Sequence, residues 1–356
     1  MPVFEIRPAT EEELPELFRV IEATFGEHLD GETVESERTV LPLDRTVAIL
    51  EGDDIVGGAA SYPFEMTVPG GGPAPGGGVT AGGVPAPHRR RGLWRAMREH
   101  QLADIDARDE PIAILNASEA PIYGRFGYGL ASSYQRLAMD PRLVSFTRRL
   151  PDRFLRLVPQ DHALDALCAA HDAVTATRPG AVRRSEAWWQ IMLGERESWK
   201  GGGKWFVVVV DPDGDDPGGY ALYKMADFGP DGGLAMTARE VVAATPDTEA
   251  LLWHHLLSVD LAWGIDVSWV PLDCELRWWV DDARQIRTTA VRDYLWVRLL
   301  DIPRALATRR YSAPGDAVLE VADRTGRGGT FRLEVDDHGR ATCEQVEAKA
   351  DLACSV

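Results

Sequence analysis

The stretch from Val79 to Asp106 narrows the possible folds of this chain more than any other. Val79-Thr80-Ala81-Gly82-Gly83-Val84 reads as a short strand that meets Pro85 and Pro87, His88-Arg89-Arg90-Arg91-Gly92 as a basic turn, and the residues from about Leu93 to Asp106 as a helix. Strand, basic glycine turn and helix together make a cradle for a phosphate. The first turn of a helix offers N–H groups without intrahelical partners and the positive end of the helix dipole. Gly92 lets an anion approach the backbone, and the three arginines can add charge-assisted hydrogen bonds. The competing reading is a solvated basic turn, and charge alone does not choose between the two.

The flanking sequence reads as α/β. Phe4 to Arg7 suits a strand, and residues 10–25 suit an amphipathic helix with Thr10 as N-cap, Glu13 three residues on, and Leu14, Leu17, Val20 and Ile21 on its face. Thr46 to Leu50 and Asp54 to Tyr62 form a hairpin pattern around Glu51-Gly52-Asp53, and the Gly/Pro-rich run 69–78 is expected to be a loop. A chain of 356 residues implies two or three domains. No run approaches the roughly 18 apolar residues that span a bilayer, and the first residues lack a signal-peptide pattern, so a cytoplasmic protein with no membrane partner is expected. Cys168, Cys274, Cys343 and Cys354 are too scattered for a disulfide framework or a metal site, and His28, His254 and His255 lack partners at ligand spacing; no metal is expected. The net charge of −18 argues against nucleic acid and favours cationic ligands without establishing one.

Arg89-x-x-Gly92 resembles the pyrophosphate-binding signature of the GNAT acetyltransferase superfamily, although Trp94 stands where that signature has a small residue. A second segment follows about thirty residues later: Ala117-Ser118-Glu119-Ala120-Pro121-Ile122-Tyr123-Gly124-Arg125-Phe126-Gly127-Tyr128-Gly129. Ile112 to Leu115 suits a strand before it, and Pro121 to Arg125 a short helix within it. Together the two segments closely resemble the Eis ("enhanced intracellular survival") family of N-acetyltransferases. Val291 to Pro303 is similar to that family's lead-in to a sterol-carrier-like domain, and Trp188-Trp189 and Leu276-Arg277-Trp278-Trp279 fall where the family has aromatic core segments. The resemblance implies an α/β (α+β) class: tandem GNAT folds followed by a partial sterol-carrier-like domain. It implies a catalytic domain at 1–145, a degenerate GNAT-like domain at 146–288 and the partial C-terminal domain at 289–356.

The same resemblance implies acetyl-CoA as cosubstrate and a primary amine, on an aminoglycoside-like molecule or a lysine, as acceptor. The thioester and pantetheine arm would lie along Gly82, Gly83 and Val84, where backbone N–H groups can stabilise an oxyanion. The pyrophosphate would lie across Arg89, Arg90, Arg91, Gly92, Leu93, Trp94 and Arg95, with Ser118 and Glu119 also touching the coenzyme. Tyr123 matches the general acid, since a phenol keeps its proton at neutral pH and can give it to a departing thiolate. Phe25 and Glu27 would line the amine pocket. In the family the C-terminal carboxylate acts as base; here Ala350 to Val356 resembles a segment inside the C-terminal domain, which implies that several tens of residues are absent and that Val356 does not take that place. Water or Glu27 is then the expected base. A homohexamer is implied as well. Two alternatives stand beside this reading: an acyl-CoA-binding protein with impaired catalysis, and a lipid-binding protein on the same scaffold.

Overall fold

The computed structural model describes residues 4–26, 31–194, 205–210, 218–228 and 233–355. The chain forms two compact units, Met1–Ala131 with Arg178–Val182 and Leu295–Val356, and Ser132–Thr177 with Arg183–Tyr294. In chain order the first stretch holds β1 (Phe4–Arg7), α1 (Leu14–Glu22), α2 (Gly31–Arg38), β2 (Thr46–Glu51), β3 (Asp54–Thr67), β4 (Pro73–Gly83), α3 (Leu93–Ala107), β5 (Ile112–Leu115), α4 (Ala120–Tyr123) and β6 (Gly129–Leu130). The middle stretch holds β7 (Ser133–Met139), β8 (Leu155–Val158), α5 (Leu164–Thr175), α6 (Glu186–Leu193), β9 (Phe206–Val210), β10 (Gly219–Phe228), β11 (Leu234–Ala243), α7 (Pro246–Leu257), β12 (Ala262–Pro271) and β13 (Arg287–Asp293). The last contains β14 (Trp296–Leu299), α8 (Ile302–Thr308), β15 (Gly315–Ala322), β16 (Gly329–Val335), β17 (Ala341–Gln345) and β18 (Leu352–Ser355).

The first unit is built on a mixed sheet of order β1-β2-β3-β4-β5-β14-β6. The expected hairpin is present, with Glu51 opposite Asp54 and Gly52 at φ 66° in the turn. The expected loop at 69–78 is not. Only its first residues turn; Pro73 to Gly78 belong to β4, paired with β3 from Thr67↔Pro73 to Tyr62↔Gly78. Close packing is the reason for the glycines. A Cβ on Gly77 would stand 2.6 Å from Ile105 of α3, and one on Gly76 2.7 Å from Ile112 of β5, so small residues let helix and neighbouring strand close over the sheet. Pro73 and Pro75 precede the stretch that β5 joins, where one edge of β4 has no ladder to lose.

The division at 145 and 288 does not follow the sheets. β7 precedes residue 145 yet pairs with β12 and β13 in the second sheet, whose order is β13-β7-β12-β11-β10-β9-β8. β14 follows residue 288 yet lies between β5 and β6 in the first. Beyond it, a small sheet of order β17-β16-β15-β18 contains a β15–β16 hairpin, with Ala317 opposite Leu333. Within the first unit, Arg298 of β14 ties this sheet to the larger one through a buried pair with Asp323 at 2.6 Å, and Arg327 reaches Asp106 at 2.8 Å. All four cysteines are free thiols. Among the described residues no helix is long and apolar enough to cross a membrane.

Candidate active site

The site begins where two parallel strands part. β4 and β5 pair only at Gly76 to Gly78 against Ile112 to Ile114, and from Val79 onward β4 keeps β3 alone. The β5-facing edge of residues 79–83 therefore carries N–H and C=O groups outside that ladder, free for a ligand's amides. One extra β4 residue opposes Ala59, a bulge at Ala81 and Gly82 with Ala81 at φ 47°. At Gly82 a Cβ would fall 1.8 Å from the Arg98 Nη2, and at Gly83 2.6 Å from the Thr24 Oγ1.

At the end of β4 the chain turns into α3. Arg90 (φ 64°) and Gly92 (φ 82°) both take left-handed conformations; Gly92 is the N-cap residue, with no side-chain cap and no acid in the first turn. The helical ladder starts with Ala96 N–H to Gly92 O at 3.1 Å, so the N–H groups of Leu93, Trp94 and Arg95 have no helical acceptor. The turn's arginines divide the work. Arg89 donates to Val84 O at 3.0 Å, and Arg91 makes two hydrogen bonds to Glu51, at 2.9 and 2.7 Å, while lying over the Phe4 ring. That pairing holds the Glu51 carboxyl below its ordinary range. Arg90 and Arg95 are exposed and have no ion pair among the described residues. Leu93 is buried with Val84 and Met97, which leaves its backbone as the part available to an anion, and Trp94 packs against the same core.

Across the opening, Ser118 and Glu119 are exposed just before α4, and Tyr123 ends that helix. Pro121 lies in its first turn, where its missing N–H costs nothing. The Tyr123 ring is buried with Val79 and Leu115, the residues that follow the last β4–β5 pair, and meets Tyr128 edge-on at 6.0 Å. Its hydroxyl has no hydrogen-bond partner among the described residues. Phe25, expected as a pocket wall, is 50% exposed. Glu27, His28 and Val356 lie outside the described residues.

The sequence reading passed over Arg98. This guanidinium is 3% exposed, donates to Gln101 Oε1 at 2.5 Å, lies 4.4 Å over the Trp94 ring, and has a buried Nε with no acceptor. Burial pushes it below the usual arginine range. The Tyr128 hydroxyl is also buried without a partner, and burial raises it. A signal for Arg98 was present: Trp94, Arg98, Gln101 and Ile105 fall on one helical stripe, the same one that faces the sheet.

Two stretches match models of the acetyltransferase (GNAT) domain, residues 5–131 and 180–299. An uncharacterized N-acetyltransferase of Streptomyces coelicolor is 37% identical over 347 residues, 95% of this chain and 84% of its own length. The N-acetyltransferase Eis of Mycobacterium tuberculosis is 33% identical over 355 residues, covering 96% of this chain and 85% of that protein. This chain belongs to the Eis-like N-acetyltransferases. The crystal structure of Eis1 from Mycobacterium abscessus superposes with a TM-score of 0.84 at 29% identity, across 99% of this chain and 87% of that one. As an Eis-like protein the chain is an acyl-CoA-dependent N-acetyltransferase with tandem GNAT folds. The shares covered, 84% to 87%, give no support to the expectation of a strongly shortened last domain.

Proposed function

We propose that the first unit transfers acetyl from acetyl-CoA directly to a primary amine of a cationic acceptor, an aminoglycoside-like molecule or a lysine side chain. One observation carries this reading: an uncapped, acid-free helix start stands beside parted strands, with a buried tyrosine whose hydroxyl is unpaired. The chain's net charge of −18 suits a cationic acceptor. The N–H groups of Leu93 to Arg95, with Arg90 and Arg95, hold the pyrophosphate. The free edge at Gly82 to Val84 takes the pantetheine arm and the thioester carbonyl, with Ser118 and Glu119 at the other side of the opening.

The neutral amine adds to the thioester carbonyl carbon, and the C=O π pair moves to oxygen. When the carbonyl re-forms, the C–S bond breaks and its electron pair leaves on sulfur. Tyr123 gives its O–H proton to that sulfur, releasing the thiol. The proton lost by nitrogen passes to water, to Glu27 or, as in the family, to a chain-terminal carboxylate, and the Tyr123 oxygen recovers a proton from solvent. We read a catalytic GNAT domain, a second GNAT-like domain and a sterol-carrier-like last region as the family's plan, the last region serving packing and homohexamer assembly in a cytoplasmic enzyme.

Release of free thiol from acetyl-CoA, with and without aminoglycosides and polyamines, tests the proposal against Tyr123→Phe. Amine-dependent release that collapses in the variant is expected. Tight acetyl-CoA binding with no release under any amine would instead select the reading in which the chain binds acyl-CoA without transferring it.

A further inference from the structure

The transfer just proposed places negative charge on three atoms in turn: the carbonyl oxygen, the departing sulfur and the Tyr123 oxygen. Each is costly inside a protein unless a positive group faces it. Buried arginines elsewhere in the first unit are already neutralised. Arg45 is paired with Glu110, and Arg298 with Asp323. Arg98 differs, because it is as deeply buried and no carboxylate meets it among the described residues.

A lone buried guanidinium carries a desolvation cost, and the fold nonetheless makes room for it. Gly82 at the bulge is the space it occupies, since a Cβ there would overlap its Nη2. Its position is fixed from below by Gln101, whose amide donates to Ala60 O of β3 at 2.7 Å, and from the side by the Trp94 ring. From α4 and the turn after it, Tyr123 and Tyr128 interact with its charge. Arg298 also acts on Tyr128, but its own charge is balanced by Asp323. The uncompensated cation at the parted strands is thus Arg98, set beside the backbone that takes the thioester and within electrostatic reach of Tyr123.

We propose that Arg98 is a positioning residue for acyl transfer: its guanidinium compensates the negative charge that forms on the Tyr123 oxygen as the phenol gives its proton to sulfur. This rests on the proposed role of Tyr123. The residue contributes to the rate through Tyr123, and little to the affinity for the coenzyme, which the start of α3 supplies.

The test is a double-mutant cycle on the full chain with Arg98→Met, Tyr123→Phe and the combination, with Arg98→Lys as the charge-retaining variant. Arg98→Met should lower kcat by roughly tenfold to a hundredfold, less than the loss from deleting a direct oxyanion donor. Its KM for acetyl-CoA should change by less than about threefold, a split that a packing defect would not produce. Arg98→Lys should recover part of the rate. In the Tyr123→Phe background Arg98→Met should cost little more, because the two act on one proton transfer. A wild-type kcat in folded Arg98→Met, or an equal loss with and without Tyr123, overturns the proposal. Should Arg98→Met fail to fold, Arg98→Gln takes its place in the cycle. Unchanged kcat in Tyr123→Phe alone would remove the reading of the acid, and is told apart because it does not depend on Arg98.

Discussion

β4, α3 and β5 in the first unit and β11, α7 and β12 in the second share a plan of strand, helix and parallel strand. They differ at the point where the helix starts. α7 is capped by Thr245, whose Oγ1 accepts from Thr248 N–H at 3.2 Å, has Pro246 at its first position and carries Asp247 and Glu249 in its first turn. α3 has Gly92 at φ 82°, no side-chain cap and no acid there. One helix has closed its own positive end with a hydroxyl and two carboxylates; the other has neither. The interiors differ in the same sense. Glu240 of β11 is held by Arg184 in two hydrogen bonds, at 2.8 and 2.9 Å, and by Tyr220 at 3.1 Å, whereas Arg98 and the Tyr123 hydroxyl have no such complement. In the second unit the chain's own side chains satisfy the groups that the first unit leaves unmatched.

The contrast can be broken most sharply at Tyr123. Tyr123→Phe should lower kcat by about 10²- to 10⁴-fold, the usual worth of a positioned acid, while acetyl-CoA affinity holds; steady-state kinetics at saturating amine will show whether it does. The second unit should be the acid-sensitive one. Burial, reinforced by Arg184, pushes the His171 imidazole down to about 4. Its folded value lies below the unfolded one near 6.5, so its stabilising share is complete above that pH and drains away as the pH falls towards 4, up to about 3 kcal/mol. Thermal midpoints measured across that window should fall, and His171→Gln should flatten the slope. A smaller effect is expected from giving α3 the chemistry of α7. Gly92→Asp adds an acid and a Cβ at a left-handed position, and should raise the Kd for acetyl-CoA by roughly tenfold, about 1.4 kcal/mol. Least of all, Thr245→Ala should cost about 1 kcal/mol of stability by denaturant titration and leave the acetyl-CoA Kd unchanged.

Local features were readable before the fold was known. The hairpin at Glu51-Gly52-Asp53 and the helix from Leu93 follow from neighbouring residues alone, and so does the strand Ile112–Leu115. What escaped depends on residues far apart in the chain. The glycines of 76–78 look like a loop until Ile112, Ile105 and Phe64 are seen pressing on them. The insertion of β14 between β5 and β6 pairs residues near 297 with residues near 114 and 129, which periodicity cannot report. Arg98 was hidden for a related reason: an arginine on a helix reads as a solvated side chain until the empty space at Gly82 explains where it goes. Tyr123 was found through the resemblance of its surrounding segment, since a tyrosine beside Gly-Arg-Phe-Gly is otherwise an ordinary half-buried ring.

Calorimetric titration of acetyl-CoA into the full chain tests most directly whether only the open helix start binds the coenzyme. One site per chain is expected, weakened in Gly92→Asp and intact in Thr245→Ala. Two sites per chain, or one that ignores Gly92→Asp and weakens with Thr245→Ala, would contradict it.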